Sequence, residues 1–444
     1  MKKVFILILI CGFTAYSQPN TMKLYSLEDC IKIASQQNYD IKLSEARNSN
    51  ASYQLVQAFG TYLPSIGFNM GYSRTLNPSS AGSVNVGGVI IPTPAQNPNT
   101  YSMQAQANWN IFDGFSREAS YSAIQNNLEA TVENSKFISK SVLKQIYSEY
   151  IEVIKASQIV KIRREDLAIA SQELDRIKAQ FDAGASAITE VYSQEASIGQ
   201  KEIDLVKAEN TMATAKAQLL TTMGLNPTSN VEFDINSIPN FISDEDIKLF
   251  RNSINSLNVA VQAAFDNRND LKSAHFSYSS AEDGIDRAKG GYMPTVSASG
   301  GWNWSHNQFD EFSQYGRSFI SMNLSIPIFS NFNTDLNVEN AKLSLIQADI
   351  ENKKLEQQIK TDVQTAFLSL ESAEKQIDIS KRSVKSAELN YTSMKERYNV
   401  GAATITELTL ANNQYIIAQI NRVSGFYDYI LAQKQLQYAM GIIR

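Results

Sequence analysis

Four segments of the chain alternate apolar and polar residues with a period of two. Ile66, Phe68, Met70 and Tyr72 stand between Gly67, Asn69, Gly71 and Ser73, and Tyr101, Met103, Ala105, Ala107, Trp109 and Ile111 between Ser102, Gln104, Gln106, Asn108 and Asn110. Val296, Ala298, Trp302 and Trp304, then Ile320, Met322, Leu324 and Ile326, repeat the arrangement. Such alternation predicts strands with one apolar and one polar face, over about residues 64–74, 101–112, 294–305 and 317–328.

After each strand pair the period lengthens to seven. Ile146, Val153, Val160, Leu167, Leu174 and Phe181 are answered by Val363, Leu370, Ile377, Val384, Tyr391 and Tyr398. Sustained sevens predict coiled coil. Neither Gly nor Pro interrupts 117–181 or 334–400, so each stretch can form one helix of about 98 Å at ~1.5 Å per residue. The expected elements are long helices over about 116–182 and 334–399, with return helices over about 187–223 and 404–440. Arg422 breaks the return series Leu408, Tyr415, Tyr429 and Leu436; it either pairs with an acid or faces solvent.

The chain is also written twice. Gly184/Gly401, Ile188/Ile405, Thr189/Thr406, Glu190/Glu407, Met223/Met440 and Gly224/Gly441 are all 217 apart, whereas Tyr62/Tyr292, Pro64/Pro294 and Gly71/Gly301 are 230 apart. The 230 − 217 = 13 extra residues are expected as loop between Gly71 and Ile111, where Asn77 to Pro98 is dense in turn formers. The expected organisation is a first repeat over 18–224, a linker over 225–255 and a second repeat over 256–444. Each repeat reads helix, hairpin, long helix, turn, helix, with the first run from Leu27 to Phe59 broken near Asn38.

Composition narrows the chemistry. With 43% hydrophobic and 19% charged residues in 444, the chain is ordered, and a net charge of −5 without a basic cluster argues against nucleic acid. No Ser-His-Asp grouping, phosphate loop or metal-ligand spacing stands out, so neither an enzyme, a metal nor a cofactor is expected. His275 and His306 lie in separate, unlike contexts and are not expected to be ligands. Residues 1–17, with Lys2 and Lys3, the apolar run Val4 to Phe13 and Ala15-Tyr16-Ser17, read as a secretory signal cleaved near Ser17/Gln18. Its removal changes −5 to −5 − 2 = −7 and leaves Cys30, to which no role is assigned, as the remaining thiol. No later run of about 18 apolar residues could cross a bilayer as a helix. Any membrane crossing must use strands.

One-sided strands suit a soluble sandwich or a lipid-facing barrel. Nearly uncharged polar faces, ten-residue spans and the aromatic ends Tyr62, Tyr101 and Tyr292 favour the barrel. Four strands cannot close, and open edges in lipid leave backbone groups unpaired. Two copies would supply eight strands, with an interior filled by side chains; three would supply twelve and room for a channel. A trimer is the economical solution, with the amphipathic helices projecting on the periplasmic side.

The ordered set Tyr62-Leu-Pro64, Trp109-Asn-Ile-Phe-Asp-Gly114, Tyr292-Met-Pro294, Ile326-Pro-Ile-Phe329, 181–191 and Tyr398-Asn-Val-Gly-Ala-Ala-Thr-Ile-Thr-Glu-Leu408 resembles the TolC-type outer-membrane efflux family over nearly all of the mature chain. The resemblance implies an α+β membrane protein: a duplicated helix, β-hairpin and long coiled-coil helix pair, trimerised into a 12-stranded β-barrel that continues into a periplasmic α-helical barrel. It implies an outer-membrane exit duct with a periplasmic extension, working with a periplasmic adaptor (membrane fusion) protein and an inner-membrane RND or ABC pump. It places the adaptor-docking tip at Gly184, Ala185, Gly401 and Ala402, and the gate or constriction at Glu190, Tyr398, Glu407 and Leu410. Leu410 stands where a second acid is usual and Ala403 where an arginine often locks the gate, implying a less acidic constriction and a weaker lock. Phe68, Met70, Tyr72, Met103, Trp109, Trp302, Trp304, Met322 and Leu324 would face lipid.

Plainer roles exist for the same residues. Gly184 and Gly401 could be helix caps alone, Glu190 and Glu407 carboxylates in first helical turns where the dipole favours them, and Tyr398 a core residue. The competing function is a non-conducting surface or scaffolding coiled-coil protein.

Overall fold

The computed structural model describes residues 23–239, 242–254 and 256–443; the expected signal segment lies outside them. In chain order the elements are β1 (Lys23–Tyr25), α1 (Leu27–Gln37), α2 (Tyr39–Gly60), β2 (Ser65–Arg74), β3 (Gly82–Val86), β4 (Val89–Thr93), β5 (Asn99–Phe112), α3 (Ser116–Asp182), α4 (Ile188–Thr222) and β6 (Val231–Phe233). They continue as α5 (Asp244–Ser253), α6 (Leu257–Asn267), α7 (Asn269–Lys289), β7 (Thr295–His306), α8 (Phe312–Tyr315), β8 (Arg317–Ser325), α9 (Asn333–Asn399) and α10 (Ile405–Ala439). The chain divides into two units, one of residues 1–38, 145–247 and 373–431, the other of 39–144, 248–372 and 432–444. Both α3 and α9 contribute to each.

The first unit is helical apart from β1 and β6, which pair in parallel through Lys23↔Val231, Leu24↔Glu232 and Tyr25↔Phe233. Three-residue strands leave no period in the sequence, so β6 was not legible within the inter-repeat segment 225–255. Tyr150 is fully buried against this pair: its ring meets Phe233 edge-on at 5.9 Å and its hydroxyl donates to the Asp234 carbonyl at 2.7 Å. Ser26 and Asp29 form a capping box at α1. Asn38, where the helix breaks, donates its amide to the Thr222 carbonyl at 2.8 Å. Gly224, at φ +74°, is pressed so close to Gln37 that a methyl group there would sit 2.5 Å from the Gln37 carbonyl oxygen.

Along α3 the seam follows Ile146, Val153 and Val160, all buried, after which the predicted Leu167 and Leu174 are only half-buried. Ala170 and Ile177 take over, while Phe181, expected in the seam, is 39% exposed. A straight helix drifts about 20° per heptad against a strict seven-residue repeat, so a series read by sevens leaves the interface after a few turns.

The second unit contains an antiparallel sheet in the order β2-β5-β7-β8. Its register aligns Phe68 with Ala105, Met70 with Met103 and Tyr72 with Tyr101, then Met103 with Trp304 and Ala105 with Trp302, then Ala298 with Met322 and Val296 with Leu324. All these side chains therefore share one face. Gln104, Gln106, Asn108, Ser299, Ser321 and Asn323 share the other. β8 stops at Ser325, short of the predicted 328, because Pro327 has no N–H for the ladder. The 13 extra residues are not plain loop. Val84, Val86, Val89 and Ile91 build the β3–β4 hairpin around Gly87 and Gly88, both at positive φ.

Two helices flank α3 in this unit through short polar side chains. Ser44 of α2 meets Ser135 at 3.0 Å, while from α7 Ser273 donates to the Ala130 carbonyl at 2.7 Å and Ser280 to that of Ala123 at 2.8 Å. Where strand becomes helix, Arg117 stacks on the Tyr62 ring at 4.3 Å and the Trp109 indole donates to the Tyr62 carbonyl at 3.0 Å. Thus Tyr62-Leu-Pro64 and the 109–114 motif, far apart in sequence, form one joint.

Candidate functional site

Both long helices end in the same device. Gly184 and Gly401 have φ of +75° and +73°, and the following N–H reaches back five residues: Ala185 to the Gln180 carbonyl and Ala402 to that of Arg397, each at 2.7 Å. This is the Schellman closure, which a residue with Cβ adopts only under strain. A methyl group on either glycine would meet nothing within 4 Å, so the turns are open to solvent.

Behind the turns the helices close on Ile177, Val191, Ile405 and Leu408, with Leu174, Tyr391, Met394 and Tyr398 packed against them. The Arg176 guanidinium lies 4.8 Å from the centre of the Tyr398 ring, donates to the Asn399 side-chain oxygen at 2.6 Å and is bonded to Glu173. Burial first, and the Glu173 carboxylate second, hold the Tyr398 phenol above its ordinary value, so it stays neutral. Glu190 accepts from the Ser186 hydroxyl at 2.6 Å. Glu407 closes a capping box on Thr404, accepting from its N–H at 2.7 Å and its hydroxyl at 2.9 Å. Those bonds, the backbone one first, lower its pKa. Leu410 is exposed on α10. Within one chain, then, Tyr398 is joined to Arg176; among the described residues no hydrogen bond joins it to Glu190.

A cavity of about 300 Å³ lies beside this cluster, lined in part by Glu173, Arg176, Gln194, Lys201, Tyr391 and Asn412. Beneath it Lys201 of α4 donates to both oxygens of Asp166 of α3, at 2.6 and 2.7 Å, and Asn412 of α10 donates to the same carboxylate at 2.8 Å. The Lys201 and Asp166 side chains are 8% and 2% exposed. Neither this triad nor Arg176 was anticipated. Lys201 and Asn412 lie 35 and 246 residues from Asp166, and Tyr398 lies 222 from Arg176; the one available signal was a charged residue next to an apolar series.

On the sheet, Phe68, Met70, Tyr72, Trp109, Met322 and Leu324 stand exposed on the apolar face, and Met103 and Trp302 are half-covered. Trp304 departs from its expected lipid-facing role: it is 1% exposed, because the loop after β7 folds back and sets Phe312 at 4.7 Å and Phe309 at 5.7 Å from its ring. On the polar face Gln104 donates to Gln106 at 2.9 Å and Gln106 to Asn108 at 2.7 Å, an uncharged amide ladder. Arg422 is half-buried, and one of its guanidinium nitrogens is buried without a partner among the described residues.

A family profile described as "Outer membrane efflux protein" matches residues 30–225 and 260–442. Outer membrane protein TolC of Vibrio cholerae is 23% identical over 309 residues, covering 68% of each chain. Outer membrane efflux protein BepC of Brucella suis is 23% identical over 355 residues, 79% of this chain and 74% of the relative. Among solved structures, the Campylobacter jejuni CmeC outer membrane channel superposes with a TM-score of 0.77 at 16% identity, covering 99% of this chain and 94% of the other. The fold is that of the efflux channels.

Proposed function

The chain belongs to the outer membrane efflux protein family, and on that footing we propose that it is the homotrimeric, passive exit duct of a tripartite efflux system in the bacterial outer membrane. The observation that carries the trimer is the sheet itself, four strands with β2 and β8 as open edges and one continuous apolar face. In lipid each unpaired edge group costs several kcal/mol, so copies must join edge to edge. Three make a barrel of twelve strands, wide enough for a lumen. On α9, Leu336, Leu343 and Ile350 recur by sevens at 58%, 57% and 58% exposure; neighbouring copies cover this stripe as the helices close into a periplasmic tunnel.

The duct does no chemistry, and an inner-membrane pump of the RND or ABC class supplies the energy. The amide ladder lines the barrel with neutral groups that hydrate cargo without holding it. A periplasmic adaptor docks at the solvent-open turns around Gly184, Ala185, Gly401 and Ala402. The entrance closes through Tyr398 with Arg176, and through Glu190, Glu407 and Leu410. Reconstituted protein is expected to conduct ions in planar bilayers with a trimer's mass in detergent, and deletion to leave cells retaining dye. A water-soluble single copy that never conducts overturns the reading in favour of a scaffold.

A further inference from the structure

The loop that covers Trp304 brings together three donors that the sequence left unconnected. His306, at the end of β7, holds its Nε2 3.5 Å from an Asp310 carboxylate oxygen and 3.8 Å from one of Glu311, and one ligand atom from each of the three lies within 4.8 Å of the others. These separations exceed a normal imidazole–carboxylate hydrogen bond. Around a shared ion, bonds of about 2.0–2.2 Å at tetrahedral angles separate donor atoms by about 3.3–3.6 Å; the Asp310 distance falls in that range and the Glu311 distance lies 0.2 Å beyond it, within reach of a small side-chain adjustment. The imidazole is preset, stacked on Tyr315 at 4.0 Å and 20°, with its side chain 15% exposed. Glu311 has a left-handed backbone, φ +51°, which turns two consecutive carboxylates toward one ring. Both acids are about half exposed, leaving a fourth position to water.

We infer that His306, Asp310 and Glu311 form a binding site for a divalent transition cation, departing from the expectation that neither histidine is a ligand. One nitrogen and two carboxylate oxygens suit Zn²⁺ and its first-row neighbours better than Ca²⁺ or Mg²⁺, which take oxygen ligands alone. The bound ion ties the end of β7 to the loop and fastens Phe309 and Phe312 over Trp304. The site does not depend on the transport reading, since all three ligands belong to one chain.

The test titrates Zn²⁺ into full-length protein in detergent, by calorimetry and by competition with a colorimetric chelator. One ion per chain is expected, with affinity falling at least tenfold in His306→Ala and in Asp310→Asn. Proteolysis within 307–316 should slow at least threefold on adding Zn²⁺ to the parent protein and not in either variant. Asp310 lies on the exposed loop, so its variant reports even where His306→Ala fails to fold. Binding unchanged in folded variants, full displacement by equal Ca²⁺, or no uptake above a detergent blank overturns the site.

Discussion

Arg176 and Tyr398 face each other at 4.8 Å across the ends of α3 and α9, and the same guanidinium reaches Asn399 and Glu173. An arginine therefore does reach Tyr398, the tyrosine proposed for the gate, from the partner helix, although position 403 is alanine.

If this contact holds the entrance closed, Arg176→Ala should raise single-channel conductance at least twofold in intact trimers. Arg176→Lys should fall between, because lysine keeps the charge but loses the flat stacking face. Glu190→Gln with Tyr398→Phe tests two of the proposed gate positions in the same recording. Conductance unchanged in all three would remove them from the gate.

The Lys201–Asp166 pair should respond asymmetrically. Removing one partner, as in Lys201→Met, strands a buried charge and should cost about 3–5 kcal/mol, whereas the double change with Asp166→Leu leaves only the Asn412 amide unpaired and should cost about 1–3 kcal/mol. Thermal melting in detergent should rank the double variant above both singles; additive losses would refute the coupling.

Gly184, Gly401, Gly224 and Gly441 share a positive φ but not their surroundings. Gly184→Ala and Gly401→Ala pay the backbone strain of about 1–2 kcal/mol. Gly224→Ala adds a clash with Gln37, and Gly441→Ala one with Asn267 and Arg268 at 2.8–2.9 Å, about 1–3 kcal/mol more. The melting order should follow; equal losses would mean the close approaches relax freely.

Burial pushes the Cys30 thiol up from 9.0 to about 12 and the Tyr150 phenol from 10.0 to about 12. Both folded values are raised, so their stabilisation is complete below about pH 9 and lost as pH climbs toward 12. Cys30, 0% exposed, should resist iodoacetamide at pH 8 until the protein unfolds, as peptide mass spectrometry would show. Rapid labelling of native protein would contradict this.

Much of the architecture was legible because it is periodic. Strand alternation marks both sheet faces from Phe68 and Gln104 alike, and the twin Gly-Ala turns mark where α3 and α9 stop. The β3–β4 hairpin was hidden because Gly, Pro and Asn between Val86 and Pro98 outweigh a five-residue apolar alternation. Trp304 has the spacing of its exposed neighbours, and only a loop folding over it distinguishes it.

Local repetition in the chain therefore specified the duplicated plan, the one-sided strands and the long helices, since each depends on which residues recur along a single element. Arg176 on Tyr398, the Asp166–Lys201–Asn412 triad and the grouping of His306 with Asp310 and Glu311 came from packing. Helix phase drifts and loops turn back, so which side chains meet is set by three-dimensional closure and not by spacing along the chain.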